Sequence, residues 1–518
     1  MSLKPVVSLH RFRHLCTFVL FCHTNLILGG YSKLFKTALS LLLVSTALFT
    51  LGSASAESGA LVYEAETAQR TGSLTLKTDV KASGWKSVGT FEKADDSLSF
   101  TVDVPSDGVY DITVTCIGIG GSKINNLLVD GQHQGTFECG AVMYTDAPVK
   151  GVLLTAGQHE LSITPSWGWM YVDKLTITPA QAISEDVYNV SSALINPNAT
   201  ENAKKLYAYL CDNYGKATLS GQVCDGGLKG TEITAIHAVT GRYPAILGLD
   251  MMDYPPSRRA MGASHPTAVE RAIEFHEAGG IVAFCWHWTA DKKYILDGTD
   301  ANGNPRWWGA FYTDNVTFDI EAVMNGSDPY GKEALDKDIA EIAKQLLRLQ
   351  DAGVPVLWRP LHEASGGWFW WGAKGAEPCK QLWIYLYDQL TSVYGCNNLI
   401  WVWNGQAKDW YPGDEYVDII GEDIYADAHS YGAQNSKFID VLDYTGTNKI
   451  IALTENGVLF DIDNLITTNA RWAWFNTWSG DFVQKNGKYS EAYTEADILK
   501  KTYNSEYVIT LDELPDLY

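Results

Sequence analysis

From about residue 197 to the C-terminus, short apolar runs alternate with longer segments of helical period, and the alternation repeats eight times. The runs fall near 218–223, 244–250, 280–287, 354–361, 398–403, 417–424, 450–455 and 471–478. Between them, Ala334 to Gln350 carries Leu335, Ile339, Ile342, Leu346 and Leu349 on one face at helical spacing, with Gly353 punctuating its end. Eight strands in alternation with helices over about 320 residues predict an α/β fold, a (β/α)8 TIM barrel. In such a barrel the chemistry sits at the C-terminal ends of the strands.

Two strand ends stand out. The fourth run reads Val354-Pro355-Val356-Leu357-Trp358-Arg359-Pro360-Leu361-His362-Glu363 and turns abruptly polar at its end. The seventh, Lys449 to Gly457, ends Leu453-Thr454-Glu455-Asn456. A carboxylate placed directly after a buried strand is costly unless it is partnered or functional. Singly, either glutamate reads as a structural partner for an arginine or the backbone. Together, across one barrel mouth, they read as the acid/base and nucleophile of a retaining glycosidase, Glu363 and Glu455 respectively. Arg359 and Tyr425 are expected to donate to Glu455. Tryptophans crowd the same strand ends: Trp286 and Trp288, Trp368, Trp370 and Trp371, Trp401 and Trp403, Trp474 and Trp478. Such a group suits a cleft that stacks on sugar rings.

Composition narrows the partners. The 518 residues carry a formal net charge of −22, which repels phosphate backbones and argues against nucleic acid. With 18 Trp, 27 Tyr and 17 Phe, a neutral carbohydrate is the better partner. No C-x-x-C or H-E-x-x-H pattern marks a zinc site, and no cofactor is expected for catalysis.

Upstream, residues 57–179 read as an all-β sandwich of jelly-roll type. Alternating runs at 97–102, 110–114, 127–129, 152–154 and 174–178 are separated by turns such as Ser106-Asp107-Gly108 and Asp130-Gly131. Residues 180–196 read as a linker, and 197–518 as the barrel domain. The leader, residues 1–56, holds Lys33 and Lys36, an apolar run from Ala38 to Leu51, and Ala54-Ser55-Ala56. This is the pattern of a signal peptide cleaved after Ala56, and the run is shorter than the roughly 20 residues of a membrane span. A secreted protein, free of membrane once mature and monomeric, is expected. Export permits disulfides. The local pairs Cys116–Cys139, Cys211–Cys224 and Cys379–Cys396, with Cys285 left over, are open to the chain, and spacing alone does not choose among pairings.

The segments Trp358 to Glu363 with Trp368, Ala452 to Gly457, Gly421 to Tyr425 and Phe284 to His287 together resemble glycoside hydrolase family 26 over about residues 200–500. His362 stands before the acid/base where many members of the wider clan have Asn. The resemblance implies a retaining endo-β-1,4-mannanase acting on mannan, glucomannan or galactomannan. It implies catalytic roles for Glu363 and Glu455, and substrate-binding or tuning roles for His287, Arg359, His362, Trp368, Asp423, Tyr425 and Trp478, with Trp474 the alternative to Trp478. Related β-glucanase or xylanase activity, or binding without catalysis, are the competing readings. Tyr63-Glu64-Ala65-Glu66 and Trp167 to Asp173 resemble a family 35 carbohydrate-binding module. That likeness implies a structural Ca²⁺ held by Glu64, Glu66 and Asp173, oxygen ligands suited to a hard cation, and sugar stacking on Trp167 or Trp169.

Overall fold

The structure, a computed structural model, describes residues 59–296 and 306–518. The expected signal peptide, and the start of a long loop expected to shape the cleft from Asp297 to Asn325, lie outside the described residues.

The N-terminal module is a sandwich of eleven strands. They are β1 (Leu61–Glu64), β2 (Gln69–Thr71), β3 (Thr75–Thr78), β4 (Lys86–Thr90), β5 (Ser97–Val104), β6 (Gly108–Gly118), β7 (Lys123–Val129), β8 (Gln132–Cys139), β9 (Thr145–Leu154), β10 (Gly157–Pro165) and β11 (Met170–Pro179). One sheet has the order β3-β4-β11-β6-β9, with β1 also on β11; the other has β2-β5-β10-β7-β8. Strict alternation builds the core: Leu98, Phe100, Val102 and Val104 of β5 point in, against Ile112, Val114 and Cys116 of β6. Cys116 and Cys139 form a disulfide that ties β6 in one sheet to β8 in the other.

The C-terminal domain is a closed eight-stranded parallel barrel. Its strands, first to eighth, are Gly221–Val223, Ile246–Asp250, Ile281–Cys285, Val356–Arg359, Leu399–Trp403, Ile419–Ile424, Ile450–Asn456 and Phe475–Thr477. Most strand residues are buried, because packed side chains fill the inside and helices cover the outside. The predicted helix spans Pro329–Asp351, a turn longer at its start. Asp328 caps it by accepting from the Gly331 amide at 3.0 Å, and Pro329 opens it. The predicted face of Leu335, Ile339, Ile342, Leu346 and Leu349 is buried, each side chain contributing about 1.5–3 kcal/mol.

The structure bears on three points of the sequence reading. Cys211, Cys224, Cys379 and Cys396 are free thiols, so the pairs Cys211–Cys224 and Cys379–Cys396 do not form. Nearness in sequence does not bring Cβ atoms into bonding range. Cys224 instead packs its thiol 3.2 Å from the Glu232 carboxylate, and Cys396 lies against the Ala343 carbonyl. The segment 180–196, read as a linker, packs on the barrel. The Tyr188 hydroxyl donates to the Asn469 carbonyl, its ring meets Tyr214 edge-on at 4.9 Å, and the Ile195 amide donates to Asp418 at 2.8 Å. Trp474, the alternative stacking residue, is buried in the barrel core.

The module docks on the barrel through β9. The Lys150 amide donates to Ser436 Oγ at 3.2 Å, and its Nζ pairs with Asp440 at 3.1 Å. Asn435 donates to the Gly151 carbonyl, and Ser430 Oγ to the His133 carbonyl at 3.0 Å. Gly151 is required there, since a Cβ would lie 2.9 Å from Asn435 and Ile439. Among the described residues no helix is long and apolar enough to cross a membrane.

Candidate active site

The fourth strand ends at Arg359, and the chain then turns sharply. Leu361 and Glu363 both adopt left-handed backbone, φ 53° in each case. Such conformations cost roughly 1–3 kcal/mol per residue and persist where the surroundings over-determine them. Here the Glu363 amide donates to the Asn404 carbonyl at 2.7 Å, and Trp371 Nε1 donates to the His362 carbonyl at 2.9 Å. The turn lifts the Glu363 carboxylate to the mouth, where it accepts from Trp368 Nε1 at 2.9 Å.

Glu455 lies within the seventh strand, buried. It accepts from the Arg359 guanidinium and, at 2.5 Å, from the Tyr425 hydroxyl. Arg359 also donates to Asp423 at 2.6 Å and Asn404 at 3.0 Å, so one buried cation bridges two carboxylates. Asp423 accepts a further bond from Thr454 at 2.7 Å. Its carboxylate therefore holds the arginine rather than facing the opening.

Oxygens of Glu363, Asp423 and Glu455 lie within 4.8 Å of one another. Burial, and next the charge of Glu455, push the Glu363 carboxyl up to about 7. Asp423 is also pushed well up, by burial first, with Arg359 opposing. A protonated acid facing a second, hydrogen-bonded carboxylate at this spacing matches retaining glycoside hydrolysis, whose two carboxyls stand about 5–5.5 Å apart, and not the 6.5–9.5 Å of inverting enzymes.

Beside this pair, His287 Nδ1 bonds Asp250 at 2.6 Å, and its Nε2 lies 3.3 Å from Nε2 of His362. Burial works against the His287 imidazolium, but the charge and hydrogen bond of Asp250 outweigh it and raise its pKa. His362 is driven well below the usual range by burial and by the positive charges of His287 and Arg359. These opposite shifts favour His287 as the donor and His362 as the acceptor in this pair. The Trp478 ring lies 6.0 Å from that of His287.

All nine barrel residues expected from sequence converge on this mouth. Arg359, His362 and Asp423 are buried supports, whereas Trp368 and Tyr425 are 45% and 44% exposed. Sequence reading passed over Asp250 and Asn404. Both follow or end a barrel strand, the second and fifth, so the strand-end rule applied to all eight strands would have found them. It also missed Tyr312, which stacks at 5.4 Å on Phe369 of the aromatic segment after Glu363.

In the module, Trp167 and Trp169 are 62% and 47% exposed, joined by Gly168 (φ 61°). A Cβ on Gly168 would lie 1.9 Å from the Phe91 carbonyl, so only glycine closes this turn. Trp85, 70% exposed, is a further solvent-facing ring not anticipated. Glu64 and Asp173 meet through Ser83 Oγ, at 2.5 and 2.8 Å. Glu66 lies beside Gly84, with a buried Oε2 that has no hydrogen-bond partner among the described residues. Burial, with the Glu64 charge adding to it, raises Asp173 against the bonds from Ser83. Crowded, partly orphaned carboxylate oxygens of this kind fit a hard cation.

A parallel (β/α)8 barrel with a close carboxylate pair after its fourth and seventh strands, under an aromatic mouth, defines a glycoside hydrolase. The chain belongs to glycosyl hydrolase family 26, whose model matches residues 195–513, and residues 61–180 match the carbohydrate-binding module of family 35. It is 39% identical over 460 residues to a mannan endo-1,4-beta-mannosidase of Thermothelomyces thermophilus, covering 88% of this chain and 90% of that one. It is 37% identical to mannan endo-1,4-beta-mannosidase B of a Piromyces species, covering 88% and 77%. Among solved structures, a Podospora anserina GH26-CBM35 beta-(1,4)-mannanase aligns with a TM-score of 0.61 at 39% identity, over 89% of this chain and all of that one.

Proposed function

We propose that this chain is a secreted endo-β-1,4-mannanase that cleaves mannan, glucomannan or galactomannan by double displacement. The observation that carries this reading is the meeting of Glu363 and Glu455 oxygens within 4.8 Å across the mouth. Glu363, protonated near neutrality, gives its proton to the glycosidic oxygen as that bond breaks. Glu455, oriented by Arg359 and Tyr425, attacks the anomeric carbon from the opposite face and forms a glycosyl ester. Esterification removes the Glu455 charge, one of the causes that hold the Glu363 proton. Glu363, now ionised, takes a proton from water as that water attacks the anomeric carbon and the Glu455 carboxylate leaves. The β configuration is restored and both carboxyls return to their starting states.

His287, aimed by Asp250, together with Trp368 and Trp478, is assigned to sugar units flanking the scissile bond. Glu64, Glu66 and Asp173 are assigned to a structural Ca²⁺ in the module, and Trp167 and Trp169 to stacking on polysaccharide. Incubation with galactomannan, glucomannan, barley glucan and xylan, with reducing ends counted, tests the substrate. Rates highest on the mannans support the reading, and rates highest on barley glucan or xylan refute it. Proton spectra of the first product separate retention from inversion.

A further inference from the structure

Strand β8 is the edge of its sheet, and its pairing with β7 is bulged: Gly135 faces Leu127 and His133 faces Leu128, which leaves Gln134 as the added residue. A bulge at a sheet edge re-aims the side chain it adds. Gln134 points to the barrel, where a Cβ on Gly432 would lie 3.8 Å from its Oε1. With His133 and Thr136 it walls one side of a cleft of about 350 Å³, whose other side includes Trp368, Gln406 and Tyr425. That volume is in the range of small-ligand sites. The cleft adjoins the proposed catalytic carboxylates, since two of its lining residues touch them: Trp368 donates to Glu363 and Tyr425 to Glu455.

We propose that the module forms a wall of the substrate cleft, with Gln134 and Thr136 binding sugar units of the β-1,4-linked chain beyond those at the catalytic centre. This deepens the polymer-cleaving reading above and rests on it. The lining suits a neutral, hydroxyl-rich ligand. Half-exposed rings offer stacking faces, and amide and hydroxyl groups offer hydrogen bonds. The charged groups nearby are spent on one another, Lys437 on Glu422 and Asp440 on Lys150. Among the described residues the Gln134 amide makes one bond, to the Gln132 carbonyl at 3.3 Å, and Thr136 is exposed. Both keep hydrogen-bonding capacity for a ligand. The bonds from Ser430 to the His133 carbonyl and from Lys150 to Ser436 hold this wall in register with the barrel.

The test assays full-length Gln134→Ala/Thr136→Ala against manno-oligosaccharides from trimer to hexamer, with melting temperature as the check on folding. The hexamer should lose about five- to tenfold in kcat/KM, the cost of one or two hydrogen bonds, while the trimer changes less than about twofold. Thr136→Trp, which fills the cleft from an exposed position, should produce the same length-dependent loss. A module that only tethers the enzyme would leave every soluble oligosaccharide rate alone, so unchanged length dependence in both variants overturns the proposal. If the wild type cuts cello- or xylo-oligosaccharides instead, the substrate reading fails and the same comparison on that series decides the cleft. If it cuts none, both fail.

Discussion

As the proposed acid/base, Glu363 would have to hold a proton near neutral pH and then release it within one catalytic cycle. Burial and the Glu455 charge place it at about 7, so cleavage should decline tenfold per pH unit as pH rises through that value and the acid form disappears. In Glu455→Gln the Coulombic cause is gone while burial remains. The Glu363 carboxyl, followed by carbon NMR, should then titrate below 7 but above its ordinary 4.5. An unmoved titration would show that the two groups do not sense each other. Glu455→Ala should lower turnover by about a thousandfold or more while retention on insoluble mannan by the module persists; wild-type activity in this variant would remove Glu455 as nucleophile. Both glutamates were legible in sequence because each stands where an apolar strand turns polar at its C-terminal end, Glu363 after Arg359 and His362 and Glu455 after Thr454. The supporting layer was less so. Asn404 lies one residue past a strand of tryptophans and valine, and its work on Arg359 crosses 45 positions of chain. Only the fold brings such partners together.

At the scale of elements, double burial made the barrel strands readable, since runs such as Leu399–Trp403 carry apolar residues at every position. The module was read in part. β5 alternates cleanly, but β8 opens Gln132-His133-Gln134-Gly135, four polar or small residues at a sheet edge, and has no period to detect. β1 to β4 and β10 were likewise passed over. Two sheets that meet in so small a domain gain from a covalent tie. The Cys116–Cys139 bridge closes a separation of 23 residues across the sandwich. Replacing both cysteines with serine should lower the module's unfolding free energy by about 2–4 kcal/mol, read by denaturant titration, with the barrel transition unmoved. A loss shared equally by both transitions would mean that the two domains unfold as one.

At the scale of the whole molecule, the proposed calcium ligands Glu64, Glu66 and Asp173 and the proposed catalytic pair Glu363 and Glu455 belong to different domains. Chelation should lower the melting temperature of the module transition, while cleavage of mannotriose at 25 °C continues at its former rate. Loss of that cleavage on chelation would place a metal at the barrel mouth instead. The packed segment 180–196 and the β9 contacts govern what the joined domains can do together. A hinged enzyme would let its anchor grip one place while the blade roamed a disc around it. Here the anchor is seated against the blade, so each landing on a fibre exposes one short stretch of chain at a set offset. With Trp167 and Trp169 holding polysaccharide as proposed, reaching the next bond requires release and a new landing, which would tie the pace of digestion on solid mannan to how fast that face lets go.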